Sequence, residues 1–375
     1  MKYIHLSFAL LWLPLLSTGQ DIVTGTLTHD GVERSYRLFI PPANTTGGAA
    51  LPLVFNLHGF GSNANQQEFY SGMNMVADTA GFFVCYPNGR SNAWNVGWEF
   101  GSTADDVGFI SALIDELSAN YDIDPQRIYS CGMSNGGFMS YRLACELNHR
   151  IAAIASVTGS MVPSYFGSCN PGRAVPVMEI HGTADDVVPY EGEPGISLHI
   201  DTVVQYWATN NTCNPNPASQ ALPDVDTGDG STVTRFDYND CENGHQVSLL
   251  RVTGGGHTWP GTIFNLGATN QDINASVEIW RFFSRFTLSE ISSLDEVAAS
   301  EPLLRLYPNP ATGFLQLEPR YTPVLTTVYN AVGQAIQQEQ ISGATTLDLS
   351  TWHPGIYFVE AVAADGRQVF RVVKR

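Results

Sequence analysis

The chain has 375 residues, 43% of them hydrophobic and 14% charged, with 36 Asp and Glu against 18 Lys and Arg, a net charge of −18. That is enough apolar material for two domains, or for one large domain with a sizeable core. The acid excess leaves no basic stripe to neutralise phosphates, which excludes nucleic acid and anionic membrane surfaces as partners.

Met1-Lys2 opens a short basic start, and an apolar run follows from Ile4 to Leu16. Ser17-Thr18-Gly19 supplies the small residues of a cleavage site that would leave Gln20 first, so residues 1–19 read as a signal peptide. The run is shorter than the roughly 20 residues a membrane span needs. The mature protein is therefore expected to be secreted, with no stable membrane insertion. Ile22–Leu27 and Tyr36–Ile40 flank Asp30-Gly31, a hairpin signal. Leu51–Leu57 and Gly81–Pro87 are apolar strands, Val107–Leu117 is an amphipathic helix, and Asp105 and Asp106 are candidate caps for it. Ile128–Cys131, Ile151–Val157, Val175–Ile180 and Val247–Val252 continue the strands, with helical runs near Phe138–Leu147, Ser197–Trp207 and Ala275–Phe286. Strands alternating with helices over residues 20–287 predict an α/β domain whose sheet is mainly parallel and covered on both faces. Residues 288–301 have no apolar face and read as a linker. Residues 302–375 turn all-β, as in a small β-sandwich.

Six cysteines follow the leader. An even count in an exported chain suggests disulfides. Cys213 and Cys241 bracket an excursion rich in Asn, Pro, Asp and Gly and are the favoured pair; Cys145 with Cys169 is a second. Cys85 and Cys131 lie in apolar strand-like runs, as free buried cysteines do.

The chemistry concentrates in Gly132-Met133-Ser134-Asn135-Gly136, between a strand and a helix. This is the setting of a nucleophile elbow, where a sharp turn exposes the serine and tolerates little but glycine two residues to either side. A serine nucleophile needs a base, a carboxylate to orient the base, and donors for the oxyanion. In chain order the acid comes next: His181-Gly182-Thr183-Ala184-Asp185-Asp186 follows a strand, and Asp185 or Asp186 fits. His257, after Gly254-Gly255-Gly256, is the candidate base on a mobile, side-chain-free approach. The backbone N–H groups of Asn135 and of Phe60, in His58-Gly59-Phe60-Gly61, are the candidate oxyanion donors. His58 and His181 each end a strand before a glycine and suit loop geometry. Trp94 and Trp98, in a Gly/Asn-rich loop, and Trp259, beside His257, are candidate substrate-binding faces. No metal or cofactor is expected. There is no His-Glu-x-x-His and no Gly-rich phosphate loop, and Asp224–Gly230 lacks the carboxylates a calcium loop needs.

Cys131–Gly137 with Tyr141–Glu146, His181–Asp185, Gly256–Gly261 and Leu57-His58-Gly59 together resemble the polyhydroxybutyrate depolymerase and feruloyl esterase family, carbohydrate esterase family 1, over residues 22–286. The resemblance implies an α/β-hydrolase with Ser134 as nucleophile, His257 as base and Asp185, rather than Asp186, as the orienting acid. Many members carry a cysteine after the His-Gly of the oxyanion loop, where this chain has Phe60. Leu306-Tyr307-Pro308-Asn309-Pro310, Gly355-Ile356-Tyr357 and Lys374-Arg375 resemble the C-terminal sorting domain of type IX secretion. That implies the type IX machinery as a partner, and a tail commonly removed on export.

The reading is a secreted serine carboxylic-ester hydrolase acting on feruloyl or acetyl esters of plant polysaccharide, or on related small esters. The alternative is an extracellular polyhydroxybutyrate depolymerase. A serine peptidase would need a further domain to admit peptides, and a catalytically dead binding protein would not react with a fluorophosphonate probe.

Overall fold

The computed structural model describes residues 21–42, 49–264, 267–288, 303–320, 322–330, 335–363 and 366–375. The leader 1–19 and most of the 288–301 segment lie outside them. The chain divides into two compact units, residues 1–291 and 292–375.

The first unit opens with a hairpin of β1 (Asp21–His29) and β2 (Val32–Ile40). Its two turn residues, Asp30 and Gly31, both have positive φ (49° and 72°). That is the turn whose twist matches paired strands, and an Asp-Gly pair adopts it readily. Further strands are β3 (Leu51–Leu57), β4 (Phe83–Pro87), β5 (Ile123–Met133), β6 (Ala153–Val157), β7 (Val177–Gly182), β8 (Ala218–Ala221), β9 (Thr232–Tyr238) and β10 (Val247–Thr253). They form one sheet in the order β1-β2-β4-β3-β5-β6-β7-β10-β9-β8. The six strands from β4 to β10 run parallel. The hairpin on one side and β9 and β8 on the other are antiparallel. The Cys213–Cys241 excursion thus holds the edge strand β8 and its neighbour β9, hidden in the sequence by its turn-forming composition.

Strand β3 explains why helices cover both faces. Leu53, Phe55 and Leu57 join one apolar cluster, and Val54 the other. Side chains alternate across a strand, so a strand buried along nearly its whole length, as β3 is, needs cover on both faces. On one face lie α3 (Asp106–Asn120), α4 (Asn135–Glu146) and α6 (Ile200–Asn210), contributing Phe109, Leu143 and Trp207, while the short α5 (Pro163–Phe166) follows β6 in the chain. On the other lie α1 (Ala64–Ser71), α2 (Met73–Ala80) and α7 (Ala275–Phe283), with Ala64, Ala77 and Phe282. Asp105 caps α3 by accepting the Gly108 N–H at 2.9 Å. Asp106, the other cap candidate, is instead buried against Arg34 at 2.7 Å. Disulfides join Cys145 to Cys169 and Cys213 to Cys241, while Cys85 and Cys131 are free and buried.

The second unit is two antiparallel sheets with a shared apolar core that includes Leu315, Leu347, Val328 and Val359. One sheet orders β11 (Leu304–Tyr307), β12 (Phe314–Pro319) and β15 (Thr345–Asp348). The other orders β14 (Ala335–Ile341), β13 (Val324–Tyr329), β16 (Gly355–Ala363) and β17 (Gly366–Lys374). Among the described residues no helix is long and apolar enough to cross a membrane.

Candidate functional site

Strand β5 lies in the middle of the parallel strands and ends at Met133; α4 begins at Asn135. Ser134 between them has φ 54° and ψ −124°. A non-glycine residue held there stores roughly 1–3 kcal/mol of strain. The neighbours explain how the turn closes. A Cβ on Gly132 would lie 2.5 Å from the Gly136 carbonyl carbon, and one on Gly136 would lie 2.1 Å from the Leu57 oxygen. Both positions therefore demand glycine. The Ser134 N–H donates to the Val157 carbonyl at 2.8 Å, tying the elbow to β6.

The loops after β7 and β10 meet nearby. A Cβ on Gly182 would lie 2.1 Å from the Gly255 oxygen, so backbone passes against backbone. The Ala184 N–H donates to Gly255 O (2.9 Å) and the Gly254 N–H to Thr183 Oγ1 (3.0 Å). The glycine approach to His257 is thus side-chain-free, as the sequence suggests, but pinned rather than mobile. Asp185 Oδ2 stands 2.8 Å from His257 Nδ1. Its Oδ1 accepts the Val187 and Val188 N–H groups at 2.9 and 2.8 Å. The Asp185 carboxylate is fully buried, whereas Asp186 is exposed and has no such position. Ser134 and His257 line one cavity of about 630 Å³.

Gly59 passes close to the elbow: a Cβ there would lie 3.4 Å from Ser134 Cβ. Phe60 follows it on the cavity wall, and Asn135 starts α4 beside the serine. Both predicted oxyanion donors therefore belong to segments that flank Ser134. Asn135 also pairs through its side chain with the backbone of Trp94, accepting at 2.7 Å and donating at 3.2 Å.

The three tryptophans do not form the cavity wall that the sequence suggests. Trp94 and Trp259 are fully buried and line no part of the cavity. The Trp94 indole donates to His58 O (2.9 Å), bracing the loop that carries Phe60. The Trp259 indole donates to Ser276 Oγ (3.2 Å) inside the α7 core. A large apolar ring gains most by leaving water, so adjacency to His257 does not turn it toward the site. Trp98 is half-buried, stacks on Phe100 at 5.1 Å and donates to Ile196 O, also outside the cavity lining. The walls are instead Phe60, Met133, Val187, and, from segments the sequence reading passed over, Phe69, Tyr70 and Phe264. Phe264 meets Phe69 at 5.2 Å, and Tyr70 ties the same loop to α1 through Trp259 N and Thr262 Oγ1. Ser62, Asn65, Gln66 and Gln67 supply the polar side, and among the described residues no Asp, Glu, Lys or Arg lines the cavity.

Burial pushes the Cys85 and Cys131 thiols well up, which removes thiolate chemistry from the core. Among the described residues, only His29, Asp30 and Asp105 gather as a possible metal set, on the β1–β2 hairpin and the α3 cap; none of them lines the cavity.

His58 is neutral: its Nε2 accepts the Gly89 N–H (2.9 Å), and its Nδ1–H donates to Gly59 O (2.8 Å). Burial lowers its pKa from 6.5 to about 4. The folded value lies below the unfolded one, so this stabilisation is whole above about pH 6.5 and is lost as pH falls to about 4. The depression corresponds to roughly 3 kcal/mol. In urea unfolding, the stability gap between wild type and His58→Gln should narrow by up to that amount between pH 7 and pH 4. A gap independent of pH would contradict a neutral His58.

The profile of the family described as Esterase PHB depolymerase matches residues 34–212, and that of the Secretion system C-terminal sorting domain matches residues 305–375. NocK of Nocardia uniformis subsp. tsuyamanensis, named as an esterase, is 30% identical over 283 residues, covering 69% of this chain and 80% of the relative. Feruloyl esterase B of Piromyces equi is 31% identical over 229 residues, covering 58% of this chain but only 41% of that longer protein. The solved acetyl xylan esterase from Aspergillus awamori shares the fold, with a TM-score of 0.51 at 14% identity over 70% of this chain and 99% of that one. The chain is an α/β-hydrolase that belongs to the PHB depolymerase-type esterase family and ends in a secretion-system sorting domain.

Proposed function

We propose that the protein is a serine carboxylic-ester hydrolase with Ser134 as nucleophile, His257 as base and Asp185 as orienting acid. The observation that carries this is the Asp185–His257 bond at 2.8 Å, in a cavity whose lining also includes the elbow serine. Asp185 holds Nδ1, which leaves Nε2 of His257 to take the Ser134 proton. Ser134 Oγ then bonds to the ester carbon, and the carbonyl oxygen becomes an oxyanion. The N–H groups of Phe60 and Asn135 are suited to receive it, and the dipole of α4 favours negative charge at its start. His257 returns the proton to the departing alcohol. Water, deprotonated by the same imidazole, frees the acid from the acyl-serine.

The substrates proposed are feruloyl or acetyl esters on polysaccharide and related small esters, ahead of bulk polyester. Support comes from the aromatic cavity walls, which take the place of the three tryptophans, and from the names of the relatives. Purified protein should release ferulate or acetate from model esters faster than hydroxybutyrate from polymer film. Film clearing with negligible model-ester turnover would reverse that order.

Export is proposed to run through the type IX machinery, on the strength of the sorting-domain match. The secreted form is expected to begin at Gln20 and to lack the β-sandwich. Intact-mass analysis of culture supernatant reads both ends, and a species retaining Arg375 would mean that the tail stays on.

A further inference from the structure

Behind the acid lies a buried polar chain that the ester chemistry just described does not use. Glu179 and His181 project from β7, and neither side chain has any exposure. His181 Nδ1 is 3.0 Å from Glu179 Oε1, and its Nε2 is 2.8 Å from the Val188 carbonyl oxygen. That same Nε2 is 3.5 Å from Asp185 Oδ2, the oxygen that meets His257. Glu179 Oε2 accepts the Tyr141 hydroxyl at 2.7 Å, and Tyr141 is buried on α4, the helix that starts after Ser134. Tyr190 packs edge-on against the imidazole at 5.9 Å.

The hydrogens follow from chemistry. A carbonyl only accepts, so Nε2 of His181 carries a hydrogen. A second proton lies between Nδ1 and Glu179. Burial alone would lower the pKa of His181, but its bond to Glu179 and that group's charge reverse this and hold it above 6.5. Burying both groups is costly unless every polar atom is partnered, and here each one is.

We propose that Glu179, acting through His181, is a positioning residue for the Asp185 carboxylate. The turn from Asp185 to Val188 is gripped twice: Asp185 Oδ1 takes its N–H groups, and His181 takes the Val188 carbonyl. Glu179 sets the ring that makes the second grip. The turn can then offer Asp185 Oδ2 to His257 in only one direction. Tyr141 links this grip to the helix of the nucleophile, so the acid and the serine share one rigid frame.

The inference rests on the reading of Asp185 as the orienting acid, and a double-mutant cycle separates the two. Hydrolysis of 4-nitrophenyl acetate is measured for wild type, Glu179→Gln, Asp185→Asn and the double variant of the full chain. Glu179→Gln should lower kcat roughly ten-fold with KM within about two-fold, since a misplaced catalytic group costs turnover rather than binding. On the Asp185→Asn background the same change should cost less than about two-fold, because there is no carboxylate left to position. Equal losses in both backgrounds, or a folded Glu179→Gln with wild-type kcat, would overturn the proposal. An undiminished Asp185→Asn would instead overturn the reading beneath it. If Glu179→Gln does not fold, Tyr141→Phe carries the same cycle with an expected loss of about three-fold, judged by the same outcomes.

Discussion

Replacing Ser134 with alanine is expected to lower kcat by roughly a thousand-fold or more while leaving the protein folded. The loss is large because, on the proposed mechanism, the acyl group is carried by Ser134: among the described residues the remaining lining offers hydroxyls at Ser62 and Tyr70, and neither stands on the elbow. Stability should hardly move. Alanine keeps a Cβ at the same positive φ, so the strain of the turn is unchanged, and the backbone bond to Val157 remains. Ester turnover with unfolding as a control checks this. A folded variant with near-normal kcat would remove Ser134 from the reaction.

The second large effect separates two neighbouring carboxylates. Asp185→Asn is expected to cost about 10⁴ in kcat, because an amide facing Nδ1 can favour the wrong tautomer of His257. Asp186→Asn should stay within about two-fold of wild type, since an exposed side chain without a partner at the site has little to lose. Parallel kcat measurements on the two variants decide the matter. The larger loss at position 186 would exchange their roles.

How much of this was legible in the sequence depended on how tightly geometry constrains residue type. The elbow was legible because the turn leaves no space for a side chain at Gly132 or Gly136, so the constraint is written in the letters. The choice of Asp185 over Asp186 was not legible from the residues alone; it required the family resemblance, and the structure adds that one is buried against His257 and the other exposed. The cavity walls were not legible at all. Phe69 and Phe264 are far apart in the chain, and nothing local says that α1 and the loop after His257 will meet. The tryptophans misled for the converse reason: Trp259 is two residues from His257, yet chain proximity does not set side-chain direction. In the second unit, β11 and β15 are four residues each, too short for an alternating pattern to stand out.

The lack of Asp, Glu, Lys and Arg among the described lining residues of the cavity bears on turnover. A carboxylic ester arrives neutral, and its acid product leaves as an anion. Among the described residues of the wall no Lys or Arg is available to retain that anion, and the chain as a whole carries a charge of −18. Hydrolysis thus converts a molecule indifferent to the protein's field into one repelled by it, and the product is driven outward by the charge it has just acquired.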